Sequence, residues 1–256
     1  MRLFPGCTVN SRLPFVESAV RYTANVLGEE IPPSGCNICC FEPSGLKSMN
    51  PEMWLDVGSL IHSEYAGEKL VTLCEGCNLS LTSSGEILST EEGRDAASAR
   101  LKIVNAEYGV AEVNGLLEFL YENKDKIRSL AHPYSYGTAA VFPGCHGEYA
   151  YGRRGRKAGE MMSEILESIG CDSVEPKKPM CCGGGLQGVD DKIASEILEE
   201  TVGEFRRTAD FAVVSCVFCF RRLDISAKYP VMHISEIVAR SLGWDEDMSP
   251  YRRTPL

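Results

Sequence analysis

Leu3-Phe4-Pro5-Gly6-Cys7 at the start of the chain and Val141-Phe142-Pro143-Gly144-Cys145 at its middle are two copies of one phrase, and the cysteines after each copy repeat as well. Cys7 is followed after 31 residues by the adjacent pair Cys39-Cys40, and after 33 more by Cys74 and Cys77 as C-x-x-C. Cys145 is followed after 35 residues by Cys181-Cys182, and after 33 more by Cys216 and Cys219. Val71-Thr72-Leu73-Cys74 is echoed by Val213-Val214-Ser215-Cys216. Ten of the 12 cysteines thus belong to one five-cysteine pattern written twice. An internal repeat of this length implies two similar lobes from a duplicated unit, each with its own thiolate site.

The segments between the cysteines alternate between helical and extended signals. Pro14 to Leu27 places apolar residues at Phe15, Val16, Ala19, Val20, Val26 and Leu27, near helical spacing, and Gly28 supplies a stop. Asn50-Pro51-Glu52 has the form of an N-cap followed by proline at the first helical position, opening a helix through Trp54, Leu55, Leu60 and Ile61. Lys69 to Leu73 then reads as a short strand that delivers Cys74 to its end. The second half follows the same plan. A strand from Thr138 to Phe142 leads to Cys145, a helix from Arg156 to Ile169 is stopped by Gly170, and a helix from Asp191 to Arg207 precedes a strand from Phe211 to Ser215 that ends at Cys216. The expected fold class is therefore α/β: two duplicated lobes, each a small, mainly parallel sheet flanked by helices, with its site at the C-terminal ends of the strands. Helical periodicity breaks at Ala131-His132-Pro133-Tyr134, which sets the expected lobes at residues 1–134 and 135–256. The tail after Trp244, with Asp245-Glu246-Asp247 and Arg252-Arg253-Thr254-Pro255, reads as loosely ordered and solvated.

The chain has 256 residues, 44% hydrophobic and 24% charged, with a net charge of -10. That length suffices for two cored lobes, and the acidic balance argues against nucleic acid, whose binding needs a basic footprint. No apolar run approaches the roughly 18 residues of a membrane span, and no apolar targeting segment opens the chain. The expected location is cytoplasmic, without direct membrane insertion. Thiols stay reduced there, so this richness in cysteine reads as metal binding or redox chemistry rather than as disulfides.

Thiolates are soft ligands for zinc, copper(I) and iron-sulfur clusters, and a C-x-x-C turn lets two sulfurs reach one centre. Consecutive side chains of an extended strand point to opposite faces, so Cys39-Cys40 and Cys181-Cys182 reach a common site only from a turn. Gly183-Gly184-Gly185 and Gly188 in the second half, and Pro43 with Gly45 in the first, supply such turning. Five thiolates are more than a tetrahedral zinc or a cubane on four cysteines takes.

On these residues the chain resembles the heterodisulfide reductase B subunit, whose family is built from CCG domains. The resemblance rests on the arrays C-x31-C-C-x33-C-x-x-C and C-x35-C-C-G-x33-C-x-x-C. It rests also on Phe4-Pro5-Gly6-Cys7, Leu73-Cys74-Glu75-Gly76-Cys77, Gly144-Cys145-His146, Met180-Cys181-Cys182-Gly183-Gly184-Gly185 and Val231-Met232-His233-Ile234-Ser235. It spans nearly the whole chain, whose length, shorter than expected for the methanogenic protein, fits a paralogue. The resemblance implies two CCG lobes, each holding a noncubane [4Fe-4S] cluster on five cysteines. These are Cys7, Cys39, Cys40, Cys74 and Cys77 for one cluster, and Cys145, Cys181, Cys182, Cys216 and Cys219 for the other. The implied function is that of the catalytic subunit of a heterodisulfide (CoM-S-S-CoB type) reductase complex in methanogenesis. The disulfide binds between the clusters and is split, each sulfur being captured by an iron. The chain carries no C-x2-C-x2-C-x3-C-P run and no convincing flavin or nicotinamide fingerprint, so electrons arrive from outside. The resemblance implies a relay partner with cubane clusters, like the C subunit of that family's complexes, fed by a flavin-bearing partner like their A subunit.

Two departures stand out. Phe41 occupies the place of Gly183, and Cys36 adds a C-x-x-C-C ahead of the first pair, which leaves open a different geometry, or zinc, in the first lobe. Cys36 and Cys171 read as small buried residues. Thiolates need protons before release, and the candidate donors are His146, beside Cys145, and His233, at a strand end in the same half; structural hydrogen bonding is the competing role. Arg153, Arg154, Arg156 and Lys157 form the densest basic run. Arg153 and Arg154 suit an anionic substrate such as coenzyme M with its sulfonate or coenzyme B with its carboxylate and phosphate, against a solvated helix start or a contact between subunits. Two other functions stay open: an electron-transfer CCG subunit of a lactate- or glycolate-oxidase-like or quinone-linked complex, and a structural zinc scaffold.

Overall fold

The computed structural model describes residues 1–35, 38–41, 45–132, 137–177 and 181–255. Seven short strands among them form two sheets, both wholly parallel. The first runs β1 (Arg2–Phe4), β2 (Lys69–Thr72), β3 (Glu112–Gly115). The second contains β4 (Ala139–Phe142), β5 (Ser173–Val174), β6 (Phe211–Val214) and β7 (Val231–His233), in the order β5-β4-β6-β7. Without the edge strand β5, the second sheet has the plan of the first: an opening strand, a C-x-x-C strand and a closing strand. Parallel neighbours need long crossovers, and helices supply them.

The helices Phe15–Val26, Pro51–Glu64, Ala158–Ser168 and Asp191–Thr208 lie where periodicity and capping place them. Asn50 accepts the Met53 N–H at 3.0 Å with Pro51 at the first helical position, and Asp190 accepts the Ile193 N–H at 3.0 Å. β3 carries no strand signal of its own. Its Glu-Val-Asn-Gly segment is extended because it pairs with β2, Lys69 opposite Glu112.

Register decides where the cysteines go. β1 and β2 pair Phe4 with Thr72, and the Leu73 N–H donates to the Phe4 carbonyl at 3.1 Å, so the chain leaves the sheet at Pro5 and at Cys74 side by side. β4 and β6 pair Phe142 with Val214 and repeat that exit at Pro143 and Cys216.

The two halves do not keep separate cores; one continuous apolar cluster runs through both sheets. Helix Phe15–Val26 packs on Ile234–Ser241 of the second half, the Phe15 ring lies 5.5 Å from Phe220, and the Tyr22 hydroxyl donates to the Leu242 carbonyl at 3.1 Å. Helix Leu116–Glu122 packs on Ala158–Ser168, with the Tyr121 hydroxyl donating to Glu164 at 3.1 Å. Each large apolar side chain buried in such a contact contributes roughly 1.5–3 kcal/mol. The boundary expected at residue 134 falls outside the described residues. Among the described residues no helix is long and apolar enough to cross a membrane.

The tail is not the solvated segment that its charges suggest. The Arg253 and Thr254 N–H groups donate to the buried Asp224 carboxylate at 2.9 and 2.7 Å. Arg252 pairs with the buried Glu236 at 2.7 Å and donates to the Val231 carbonyl at 3.0 Å. A carboxylate taken out of water needs such partners, and the distant residues that carry them give a charge run no local sign of its use. Arg252→Met strips Glu236 of one of its two guanidinium partners and is expected to destabilise the chain by on the order of 3 kcal/mol. Arg253→Met, on an exposed side chain whose backbone makes the contact, should stay within about 0.5 kcal/mol. Urea unfolding of both variants checks this.

Candidate functional site

In each half a Pro-Gly-Cys phrase turns a strand end into a helix. Gly6 and Gly144 take φ of +74° and +77°. A Cβ on Gly6 would lie 2.8 Å from Cys77 Sγ, and one on Gly144 2.8 Å from Cys219 Sγ. Glycine alone meets both demands, a left-handed backbone and a sulfur closer than any side chain tolerates. Cys74 stands at the N-cap position of the helix Glu75–Leu88 and Cys77 lies in its first turn. Cys216 and Cys219 take the same places around Val217–Arg221.

The paired cysteines turn alike in the two halves despite the missing glycine. Phe41 sits at φ +45° and Gly183 at +69°, and each donates its N–H to the first sulfur of its pair at 3.4 Å. Phe41 bears the left-handed strain that Gly183 avoids. In the second half glycine is needed on packing grounds too, since a Cβ on Gly183 would lie 2.3 Å from the Ala194 carbonyl oxygen. Cys36, Pro43 and Met180 lie outside the described residues.

Ten thiols neighbour one another in one chain: Cys7, Cys39, Cys40, Cys77, Cys74, then Cys216, Cys219, Cys182, Cys181, Cys145. The second five retrace the first in reverse. Cys40 and Cys77 sulfurs stand 3.0 Å apart. Cys74 meets Cys216 at the centre, where the halves join, and the ends, Cys7 and Cys145, are exposed. No disulfide joins any two of the 11 described cysteines. Among the described residues no three Cys, His, Asp or Glu side chains surround a single-ion position.

Two clefts open along this chain. The first is walled by the five cysteines of the first copy, the second by those of the second, and Phe218 borders both. Thiols this close share protons. Hydrogen bonds with Cys219 and Cys145 pull Cys216 and Cys181 well below the usual thiol range, while those with Cys40 and Cys182, together with burial, hold Cys77 and Cys219 well above it. Such a set ionises together only around cationic charge, and its soft sulfur donors suit iron-sulfur or another thiophilic centre.

His146 borders the second cleft beside Cys216. His233 borders neither cleft. It is wholly buried, its ring nitrogens bonding Ser235 Oγ at 2.9 Å and the Ser215 carbonyl at 3.1 Å, and burial lowers its pKa to about 4. A ring held neutral in this way caps Ile234–Ser241 and has no proton to give. Arg153 and Arg154 border neither cleft either. Arg153 pairs with Glu86 and donates to Ser83 at 3.0 Å; Arg154 pairs with Glu118 at 2.7 Å and bonds Thr82. Arg153, Arg154 and Arg156 thus tie the second half to the acids of the first. Cys171 is buried away from both clefts, and burial pushes its thiol up to about 11.

Two residues escaped the sequence reading. Glu75, inside the first C-x-x-C, is buried between the halves and raised to about 8 by that burial; the Asn78 amide donates to it at 3.1 Å and the Tyr151 hydroxyl at 3.5 Å. The available signal was a carboxylate where the second copy has Val217. Phe218, matched by Gly76, is the other.

The model of the CCG cysteine-rich domain family matches residues 1–82 and 139–224. The chain is 29% identical over 273 residues to the B subunit of the ferredoxin/F(420)H(2)-dependent CoB-CoM heterodisulfide reductase of Methanosarcina acetivorans, covering 96% of this chain and 90% of that protein. It is 28% identical over 278 residues to the B subunit of the ferredoxin:CoB-CoM heterodisulfide reductase of Methanosarcina mazei, with the same coverage of 96% and 90%. A hypothetical protein from Helicobacter pylori with a crystal structure shares the fold at a TM-score of 0.75 and 13% identity; the match covers 98% of this chain and 50% of that one, half its length.

Phe41→Gly relieves left-handed strain and is expected to stabilise by about 1 kcal/mol, whereas Gly183→Ala should destabilise by more than that, its Cβ colliding with Ala194. Urea midpoints of the two variants measure the contrast. For His233 the folded pKa of about 4 lies below the unfolded value, so its contribution to stability is complete above the unfolded pKa and falls away as pH drops toward 4. Unfolding free energy at pH 5 should be roughly 2 kcal/mol lower than at pH 7 on this account, and His233→Gln should flatten that slope.

Proposed function

The chain belongs to the CCG cysteine-rich domain family, and on that premise we propose that it is the disulfide-cleaving subunit of a redox complex, with an iron-sulfur cluster held by each set of five cysteines. The observation that carries this reading is the mirrored chain of sulfurs, joined at Cys74 and Cys216 and open at Cys7 and Cys145. Two thiolate sets arranged so put two redox centres within reach of one small molecule.

Cys7, Cys39, Cys40, Cys74 and Cys77 hold the first cluster, and Cys145, Cys181, Cys182, Cys216 and Cys219 the second. When bound, noncubane [4Fe-4S] clusters supply single electrons and iron sites that accept sulfur. The protein's own part is to orient and to seat protons. Gly6 and Gly144 let Cys77 and Cys219 approach the Pro-Gly-Cys turns, and the Phe41 and Gly183 N–H groups steady Cys39 and Cys181. His146, which borders the second cleft beside Cys216, serves as the proton donor there. The names of the two relatives support a heterodisulfide of coenzyme M and coenzyme B as the substrate class. Electrons come from a partner with cubane clusters, itself fed by a flavin-bearing subunit.

The test is an anaerobic iron, sulfide and zinc determination on the purified chain, paired with EPR after oxidation in the presence of coenzyme M thiol. About eight irons and eight sulfides per chain, with a new thiol-dependent signal, are expected. About four irons with one zinc would restrict the chemistry to one half. Full loading without a thiol response would overturn disulfide cleavage in favour of electron relay.

A further inference from the structure

The two clefts share a wall. Among the described residues, Phe218 is the one that borders both. It is the second variable residue of Cys216-Val217-Phe218-Cys219. The matching position of Cys74-Glu75-Gly76-Cys77 is Gly76, which borders the first cleft alone. The duplicated sites therefore agree in their sulfurs and differ here, where one copy has a ring and the other has no side chain.

The ring is held in place by its neighbours. Phe220, on the same short helix Val217–Arg221, is wholly buried with its centroid 5.5 Å from Phe15 of the first half. That helix also packs on Gly6–Arg12, which carries Cys7. Phe220 thus fastens the helix across the junction and leaves Phe218, 38% exposed, facing the clefts. Beyond the shared wall their linings diverge. Pro5, Gly6, Thr8 and Gly76 complete the first, whereas His146, Gly184 and Gly185 complete the second.

An aromatic wall favours an apolar substituent of matching width and offers no hydrogen bond to an anionic one, whose desolvation against it is costly. The second cleft has His146 to meet such a group. Resting on the reading of the chain as a disulfide-cleaving subunit, we propose that Phe218 is a specificity-determining residue. Its ring, at the border of both cysteine-walled clefts, sets the width allowed to the substituent beside each sulfur.

The test uses the metal-loaded chain, oxidised anaerobically, and two uncharged thiols of different width, 2-mercaptoethanol and 4-methylbenzenethiol. The reading is the thiol concentration that gives half of the thiol-dependent EPR signal, with iron and sulfide measured on every sample. Phe218→Ala is expected to shift the ratio of the two concentrations toward the wide thiol by roughly 10–100-fold, with Phe218→Leu between it and the unsubstituted chain. An unchanged ratio in Phe218→Ala at full loading overturns the role of Phe218 while leaving the disulfide reading intact. If Phe218→Ala fails to load, Phe218→Leu decides by the same ratio. An unsubstituted chain that is fully loaded and gives no signal with either thiol overturns the disulfide reading, and the role of Phe218 with it.

Discussion

Gly6 against Cys77 and Gly144 against Cys219 are the contacts on which both sites turn, because a Cβ at either glycine would stand 2.8 Å from the sulfur it faces. Parallel register brings each glycine there: Phe4 opposite Thr72 and Phe142 opposite Val214 send two chain segments out of the sheet side by side. From the first comes a Pro-Gly-Cys turn, from the second a C-x-x-C helix start. The paired cysteines then close over both, steadied by the N–H groups of Phe41 and Gly183. Spacing, backbone handedness and sulfur position are thus one constraint satisfied twice.

Duplication does not leave two independent sites. The halves share a core, and their sulfur sets meet at Cys74 and Cys216. The same junction buries Glu75 beside Tyr151 and ties Arg154 to Glu118. A carboxylate and a guanidinium removed from water are tolerated only with partners, so these polar contacts specify how one half sits on the other. Electrostatic complementarity here serves assembly of the fold, with Arg153 paired to Glu86 and Arg154 to Glu118.

Symmetry holds among the sulfurs and fails around them. Thr8 stands where the second half has His146, Gly76 where it has Phe218, and Phe41 where it has Gly183. The backbone keeps its course through all of these exchanges, even into the left-handed region at Phe41.

The repeat, the two cysteine sets and the parallel α/β plan were legible in the sequence, because spacing, caps such as Asn50-Pro51 and helical periodicity are recorded locally along the chain. The polar strand β3 was not, since only pairing with β2 makes it extended. The uses of His233, Arg153 and Arg154 and the anchoring of the tail on Asp224 were equally hidden, for each depends on a partner far away in the chain. The sequence by itself determined which cysteines belong together and what kind of centre they suit. The tertiary structure alone decided that the two sets run as mirror images meeting at Cys74 and Cys216, with Phe218 between the clefts, because those relations arise from packing one copy of the repeat against the other.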